Sequence, residues 1–140
     1  MRATLLTFSL SLICSLNARA DLLLIVNADN PVASLERKQV VDIYMGRDSS
    51  FPNQHPAHTL DVESGDLRAE FYKTLTGKTE AQVDAYWATL IFAGRMSPPQ
   101  KLSDEAAVIK AVKSNRDAIG YVSRQALPSG VKVVMELSQQ

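Results

Sequence analysis

The segment that contains Ser64, Gly65, Asp66 and Arg68 has residue types that could bind a small anion. A serine and a glycine directly before a predicted helix provide a hydroxyl group and free backbone amides at the helix start. Such a start attracts anions, because the unpaired amides and the positive end of the helix dipole converge there. Arg68, one turn into the helix, could reach back and bind the same anion through its planar guanidinium. The pattern predicts an oxyanion site at residues 64–68.

Asp66 supports a simpler interpretation of the same segment. Its carboxylate would repel an oxyanion, and either Asp66 or Ser64 could cap the helix in the ordinary way. Arg68 would then belong to a surface ion pair. Both interpretations stay open at the level of sequence, and the carboxylate favours the cap.

Two further arginines and two histidines have side chains that could belong to a site. Arg47 and Arg95 each follow a glycine at a predicted helix end, where a cation stabilises the helix dipole. The alternative is a basic rim beside a ligand cleft. His55 and His58 are spaced H-x-x-H in a loop, which is typical of structural or solvated histidines rather than of metal ligands. We therefore predict no metal site and no cofactor.

The remaining polar and aromatic residues do not form a recognisable catalytic pattern. No nucleophile is paired with a base, and Asp61 and Glu63 alternate along a predicted strand in the manner of a solvated face. We predict that the protein is not an enzyme. Aromatic residues at helical spacing are typical of a core rather than of a ligand-stacking surface; they are Tyr44, Tyr72, Tyr86, Trp87 and Phe92.

Residues 1–20 have the three parts of a cleavable signal peptide. Arg2 provides the positive charge, Leu5–Leu16 is the apolar run, and Ala18-Arg19-Ala20 is the cleavage site. The apolar run is shorter than the roughly 20 residues that span a bilayer. We therefore expect a periplasmic protein whose mature chain begins at Asp21.

The composition of residues 21–140 suits one domain that is stabilised by its core. Without Arg2 and Arg19, 13 of the 15 basic residues remain against 15 acidic ones. This balance argues against a nucleic-acid partner, since such proteins usually have a basic excess. Cys14, the only cysteine, lies in the predicted signal peptide, so no disulfide is expected.

The hydrophobic pattern predicts the element order β-α-β-α-α-α-β-β. The four strands are predicted at Leu22–Asn27, Thr59–Val62, Ile119–Val122 and Val131–Leu137. The four helices are predicted to start at Ser34, at Ser64-Gly65-Asp66, at Thr79 and at Ser103, and the first three to end at Gly46, Gly77 and Gly94. Val83, Trp87, Leu90 and Ile91 form the predicted buried stripe of the third helix. Strands that alternate with helices predict one three-layer α/β domain with a mixed sheet.

Several of these segments resemble periplasmic phosphate-binding proteins, the substrate receptors of phosphate ABC transporters. The resemblance rests on Val41–Arg47, on Ser64-Gly65 before a helix with Phe71, and on Ala118–Val122. With Tyr86-Trp87 and Phe92-x-Gly94, the order is also similar to that of short exported, substrate-binding-like proteins. The resemblance covers roughly residues 22–137.

The resemblance implies a single lobe of a type II periplasmic binding protein-like fold, and phosphate or another small oxyanion as the ligand at Ser64-Gly65. Asp66 departs from the family, which has threonine there. Receptors of the family close two lobes over the ligand, and this chain has residues for one. The alternative is therefore an accessory or sensory interaction module that binds a membrane transporter or sensor and has lost ligand binding.

Overall fold

The computed structural model of the protein describes residues 22–94 and 96–138. The predicted signal peptide and Arg95 lie outside the described residues. The elements are, in chain order, β1 (Leu22–Asn27), α1 (Arg37–Tyr44), β2 (His58–Val62), α2 (Asp66–Thr76), α3 (Glu80–Phe92), β3 (Gln100–Leu102), α4 (Glu105–Ser114), β4 (Ala118–Ser123), a 3-10 turn (Arg124–Ala126) and β5 (Val131–Leu137).

The five strands form one mixed sheet in the order β3-β2-β4-β1-β5. Strand β2 runs parallel to β3 and β4, whereas β1 runs antiparallel to β4 and β5. All six residues of β1 are buried, so this strand is covered on both faces. The α/β class with a mixed sheet and flanking helices, predicted from the sequence, is confirmed.

The predicted connection between the second and third helices is confirmed in detail. Helix α2 ends at Gly77, which has the left-handed conformation (φ 73°) that glycine adopts without strain. Helix α3 begins with the predicted capping box. The Gln82 amide donates to the Thr79 hydroxyl (3.2 Å), and the Thr79 amide donates to the Gln82 side chain (2.9 Å).

The predicted start of α1 at Ser34 is wrong. The helix begins at Arg37, with Glu36 as its N-cap residue. Glu36 is itself extended, and just before it the chain lies beside β5, where the Leu35 amide donates to the Val134 carbonyl (2.8 Å). Because this pairing fixes the backbone at Leu35, the helical conformation starts only after it.

The predicted cap of the fourth helix is also wrong by one residue. The Asp104 carboxylate, rather than Ser103, accepts from the Ala107 amide at 2.9 Å.

Just before this helix lies the short strand β3, which the sequence pattern did not indicate. Its three residues have no alternating hydrophobicity, and they become a strand by pairing in parallel with β2. No helix in the described ranges is long and apolar enough to span a bilayer.

The predicted aromatic core is confirmed at Trp87, which is 6% exposed, and at the fully buried Tyr44 and Tyr72. It is wrong at Phe92, which is 96% exposed. Ile91 is likewise 53% exposed, although it belongs to the predicted buried stripe. The buried stripe of α3 therefore ends before the last turn of the helix.

Candidate functional site

The start of α2 presents free backbone amides to solvent. Ser64, Gly65 and Asp66 are all exposed. Gly65 occupies the N-cap position with φ 112°, a conformation that favours glycine, and it has no side chain with which to cap the helix. Within the described part of the chain, no side-chain hydrogen bond joins Ser64 or Asp66 to the first amides. The ordinary cap that the sequence favoured is therefore not formed.

Arg68 is not exposed with these residues, because its side chain is buried inside the fold (2% exposed). Each guanidinium nitrogen donates to a different carboxylate. Nε donates to Asp61 (3.2 Å), one Nη to Glu80 (3.3 Å) and the other Nη to Asp84 (2.9 Å). The alternative of a surface ion pair for Arg68 is therefore also wrong.

Asp61 is the buried counterpart of Arg68, at 1% exposure. Its carboxylate accepts from Arg68, from the Tyr72 hydroxyl (2.8 Å), from the Val62 amide (2.8 Å) and from the Tyr121 hydroxyl. The prediction that Asp61 lies on a solvated face is wrong. We call this group the Asp61–Arg68 cluster; it consists of Asp61, Arg68, Tyr72, Glu80, Asp84 and Tyr121.

The protonation states within the cluster follow from its burial. Burial and then the charge of Asp61 raise the pKa of Tyr72 and of Tyr121 far above the usual tyrosine range, so both hydroxyls stay protonated and donate to Asp61. Partial burial acts to raise the pKa of Asp84, but the hydrogen bond and charge of Arg68 outweigh it and lower that pKa. Asp84 is therefore ionised at neutral pH.

Together with Lys101, the Asp61–Arg68 cluster has a net negative formal charge. Its three carboxylates are balanced by only two cations, Arg68 and Lys101, and Nζ of Lys101 lies 3.5 Å from Asp84. The guanidinium carbon also lies 5.1 Å from the centroid of the Tyr72 ring, a cation–π contact. An oxyanion that approached Arg68 would compete with carboxylates already in place. The cluster joins β2, α2, α3 and β4, which suits a structural role.

One sequence signal indicates the burial of Arg68. Arg68, Tyr72 and Leu75 have the i, i+4, i+7 spacing of one helix face, and the last two of these are buried core residues. An arginine on the apolar face of a helix requires a partner inside the fold. The sequence does not reveal which carboxylates provide it, because they come from β2 and α3.

Two of the other candidate residues lie at a separate pocket of about 520 Å³, whereas His55 does not line it. Arg47 lines this pocket, is exposed, and forms a 3.4 Å ion pair with Asp42. His58 also lines this pocket, and its Nε2 lies 2.7 Å from Oε1 of Gln100. Among the described residues, no group of three or more histidine, cysteine, aspartate or glutamate side chains is arranged to hold a metal ion.

Comparison with known proteins relates the chain to others through its fold. No protein-family model matches the chain, and no curated protein matches it by sequence. A Clostridium perfringens protein classed among phosphate ABC transporter substrate-binding proteins, solved with bound phosphate, matches with a TM-score of 0.65 and 23% identity. An ABC-type phosphate transport receptor from Vibrio cholerae matches with a TM-score of 0.64 and 20% identity. PstS from Borrelia burgdorferi matches with a TM-score of 0.60 and 13% identity.

These matches show that the chain has a periplasmic binding protein-like fold. They cover 81%, 82% and 86% of this chain, but only 44%, 45% and 48% of the three solved chains. The chain thus spans less than half the length of the proteins it resembles. At these identities the likeness concerns the fold alone, so the ligands of those proteins do not transfer to this chain by similarity.

Proposed function

We propose that this protein is an exported, single-lobe solute-binding-like protein that acts by binding a membrane protein, a transporter or a sensor, rather than by enclosing an oxyanion. The observation that carries the proposal is the state of Arg68. Each of its three nitrogens is held by a carboxylate within the fold. The cation that an oxyanion receptor would use is therefore already neutralised.

The size of the fold also supports this proposal. A receptor that encloses a small anion needs protein on two sides of it, and this chain corresponds to less than half of each solved phosphate-binding neighbour. Within the described residues, Ser64, Gly65 and Asp66 at the start of α2 are open to water, which weakens the attraction between an anion and the helix amides. A surface of this kind suits contact with another protein.

The partner is tested by crosslinking in intact cells of the source organism. A membrane-impermeant crosslinker that reacts with lysines should join the protein to one specific integral membrane protein, which mass spectrometry would identify. The control is the chain expressed without residues 1–20, which should stay in the cytoplasm and give no adduct. Recovery of the protein with no membrane-protein adduct, or with the same adduct in the control, would contradict the proposal.

The second candidate function is oxyanion binding at the start of α2, in line with the resemblance. It is favoured by one observation, namely that Gly65 leaves the first amides of α2 without a side-chain cap. Ser64 and the amides of Gly65 and Asp66 would contact the oxygens. The bound phosphate in the Clostridium perfringens structure makes phosphate the first ligand to test.

Calorimetry with phosphate and sulfate separates the two candidates. We expect no saturable binding at millimolar concentration, because Asp66 and the neutralised Arg68 offer an anion no net positive charge. Asp66→Thr removes the exposed carboxylate and should tighten any phosphate binding by about 1–3 kcal/mol. Asp29→Thr is the matched control, since Asp29 is an exposed aspartate in a turn away from α2. Submillimolar binding by the unmodified protein would establish the second candidate instead.

A further inference from the structure

The pocket of about 520 Å³ that Arg47 and His58 line is separate from the start of α2. It lies between the end of α1, the start of β2 and the segment that leads into β3. The start of α2 follows the other end of β2. Because a strand rises roughly 3.3 Å per residue, the five residues of β2 span roughly 13 Å between the two regions. The volume lies within the range of about 300–1,000 Å³ that is typical of small-molecule sites.

Arg47 gives this pocket a positive charge that the fold compensates only in part. Its side chain is 61% exposed, and the one hydrogen bond of its guanidinium within the described residues goes to Asp42, at 3.4 Å. Lys38 contacts the same carboxylate at a shorter distance. Two cations therefore share one carboxylate, and most of the five N–H donors of Arg47 remain open to a ligand.

Asp48, the next residue, gives the same pocket a negative charge. Asp48 is exposed, and one oxygen of its carboxylate accepts from the Ser50 amide at 3.0 Å. In the part of the chain that the structure describes, no cation forms an ion pair with this carboxylate. The pocket therefore presents two opposite charges from adjacent residues, and these charges do not neutralise each other.

The rest of the lining combines an apolar wall with hydroxyl groups. Ile43 is 5% exposed and Met96 is 44% exposed, so the apolar wall extends from the core to the surface. His58 and Gln100 also line the pocket, but their side chains contact each other at 2.7 Å. Hydroxyl groups can accept from a ligand's ammonium group or donate to its carboxylate; they belong to Ser49, Thr59 and Ser97.

We propose that this pocket binds a free α-amino acid with an apolar side chain. The carboxylate of the ligand pairs with the planar guanidinium of Arg47, and its ammonium group pairs with Asp48. These two groups of an amino acid are attached to one carbon atom, which suits two charges that come from adjacent residues. The apolar side chain of the ligand lies along Ile43 and Met96, where it is removed from water.

The two charges of the pocket favour a zwitterion over a simple ion. An anion bound at Arg47 would lie close to the negative charge of Asp48, and a cation bound at Asp48 would lie close to Arg47. Only a ligand with both charges leaves neither residue uncompensated. The site goes beyond the proposed function and does not depend on it, because an amino acid can bind here whether or not the protein contacts a membrane protein.

Isothermal titration calorimetry with L-leucine tests the site on dialysed protein that is purified after expression of the full chain. We expect saturable binding with a Kd between about 10 µM and 1 mM, since a ligand of this size has few atoms that can make contacts. Isocaproate has the same side chain and carboxylate but no ammonium group, and isoamylamine has the ammonium group but no carboxylate. Each should bind at least about tenfold more weakly than L-leucine. Binding of either compound as tightly as L-leucine would overturn the proposal.

Two variants assign the two charges to their residues. Arg47→Gln and Asp48→Asn should each weaken L-leucine binding at least about tenfold. Both side chains are exposed, so both variants should keep the circular dichroism spectrum of the unmodified protein. Lys78→Gln is the matched control, since Lys78 is exposed in the connection between α2 and α3, and it should leave the Kd unchanged.

Three results would contradict the amino-acid site. The first is no saturable binding of L-leucine at millimolar concentration, and the second is binding that neither Arg47→Gln nor Asp48→Asn weakens. The third is binding of leucyl-leucine without binding of L-leucine, because the two charges of a dipeptide belong to different residues and are farther apart.

Discussion

Replacement of Arg68 by methionine is expected to lower the free energy of unfolding by about 3–5 kcal/mol, the usual cost of removing one partner from a buried ion pair. Methionine fills much of the same volume, so the loss reflects charge rather than a cavity. Asp61 would remain buried with its negative charge uncompensated, while Glu80 and Asp84 would lose their shared donor. Denaturant unfolding followed by circular dichroism measures the change.

Two further variants make this result specific to the buried charge. Arg47→Met removes an exposed arginine with a 3.4 Å ion pair and should cost less than about 1 kcal/mol. Asp61→Asn, combined with Arg68→Met, should recover part of the loss, because an amide at residue 61 carries no charge and can still accept from Tyr121. A cost below about 1 kcal/mol for Arg68→Met alone would mean that the Asp61–Arg68 cluster does not stabilise the fold.

The sequence predicted best those elements whose signals are local. Strands β1 and β5 have the predicted bounds, Leu22–Asn27 and Val131–Leu137, because each is a short run rich in apolar residues. The capping box of Thr79 and Gln82 is contained in four residues, and it forms as predicted. In these cases the residues that determine the structure lie within the same short segment from which it was predicted.

The predictions failed where distant residues decide the outcome. Asp61 was expected on a solvated face because it alternates with Glu63, and Glu63 is indeed exposed. Asp61 is instead enclosed by a hydroxyl from β4 and a guanidinium from α2, 60 and 7 residues away in the chain. Burial of a carboxylate depends on such partners, and a single sequence does not show how the elements are arranged around it.

The same reasoning explains the two errors at the end of α3. The stripe Val83, Trp87 and Ile91 is regular, so periodicity predicted burial along the whole helix. Periodicity identifies a helix face but not how far the neighbouring elements extend along it.

Trp87→Ala is expected to cost about 3–5 kcal/mol, the range for truncating a large aromatic residue in a core. Trp87 is 6% exposed and packs edge-to-face on Tyr86, with ring centroids 5.4 Å apart. The substitution would leave a cavity that the rigid helix α3 cannot close. Denaturant unfolding measures the loss, and Leu127→Ala, at an exposed apolar residue, is the control. A loss below about 1 kcal/mol would mean that the indole ring is not part of the core.

Gly46 provides a stricter test of where the indole ring lies. A Cβ atom at Gly46 would stand 2.6 Å from Cη2 of Trp87 and 2.8 Å from Sδ of Met96, and the residue has φ 73°. Gly46→Ala should therefore cost about 1–2 kcal/mol for the left-handed backbone and about 1–3 kcal/mol for the overlap. In a Trp87→Ala background much of the overlap disappears, so the two losses should sum to more than the loss of the double variant, by about 0.5–3 kcal/mol. Strictly additive losses would mean that the ring does not pack against Gly46, because only that contact couples the two substitutions.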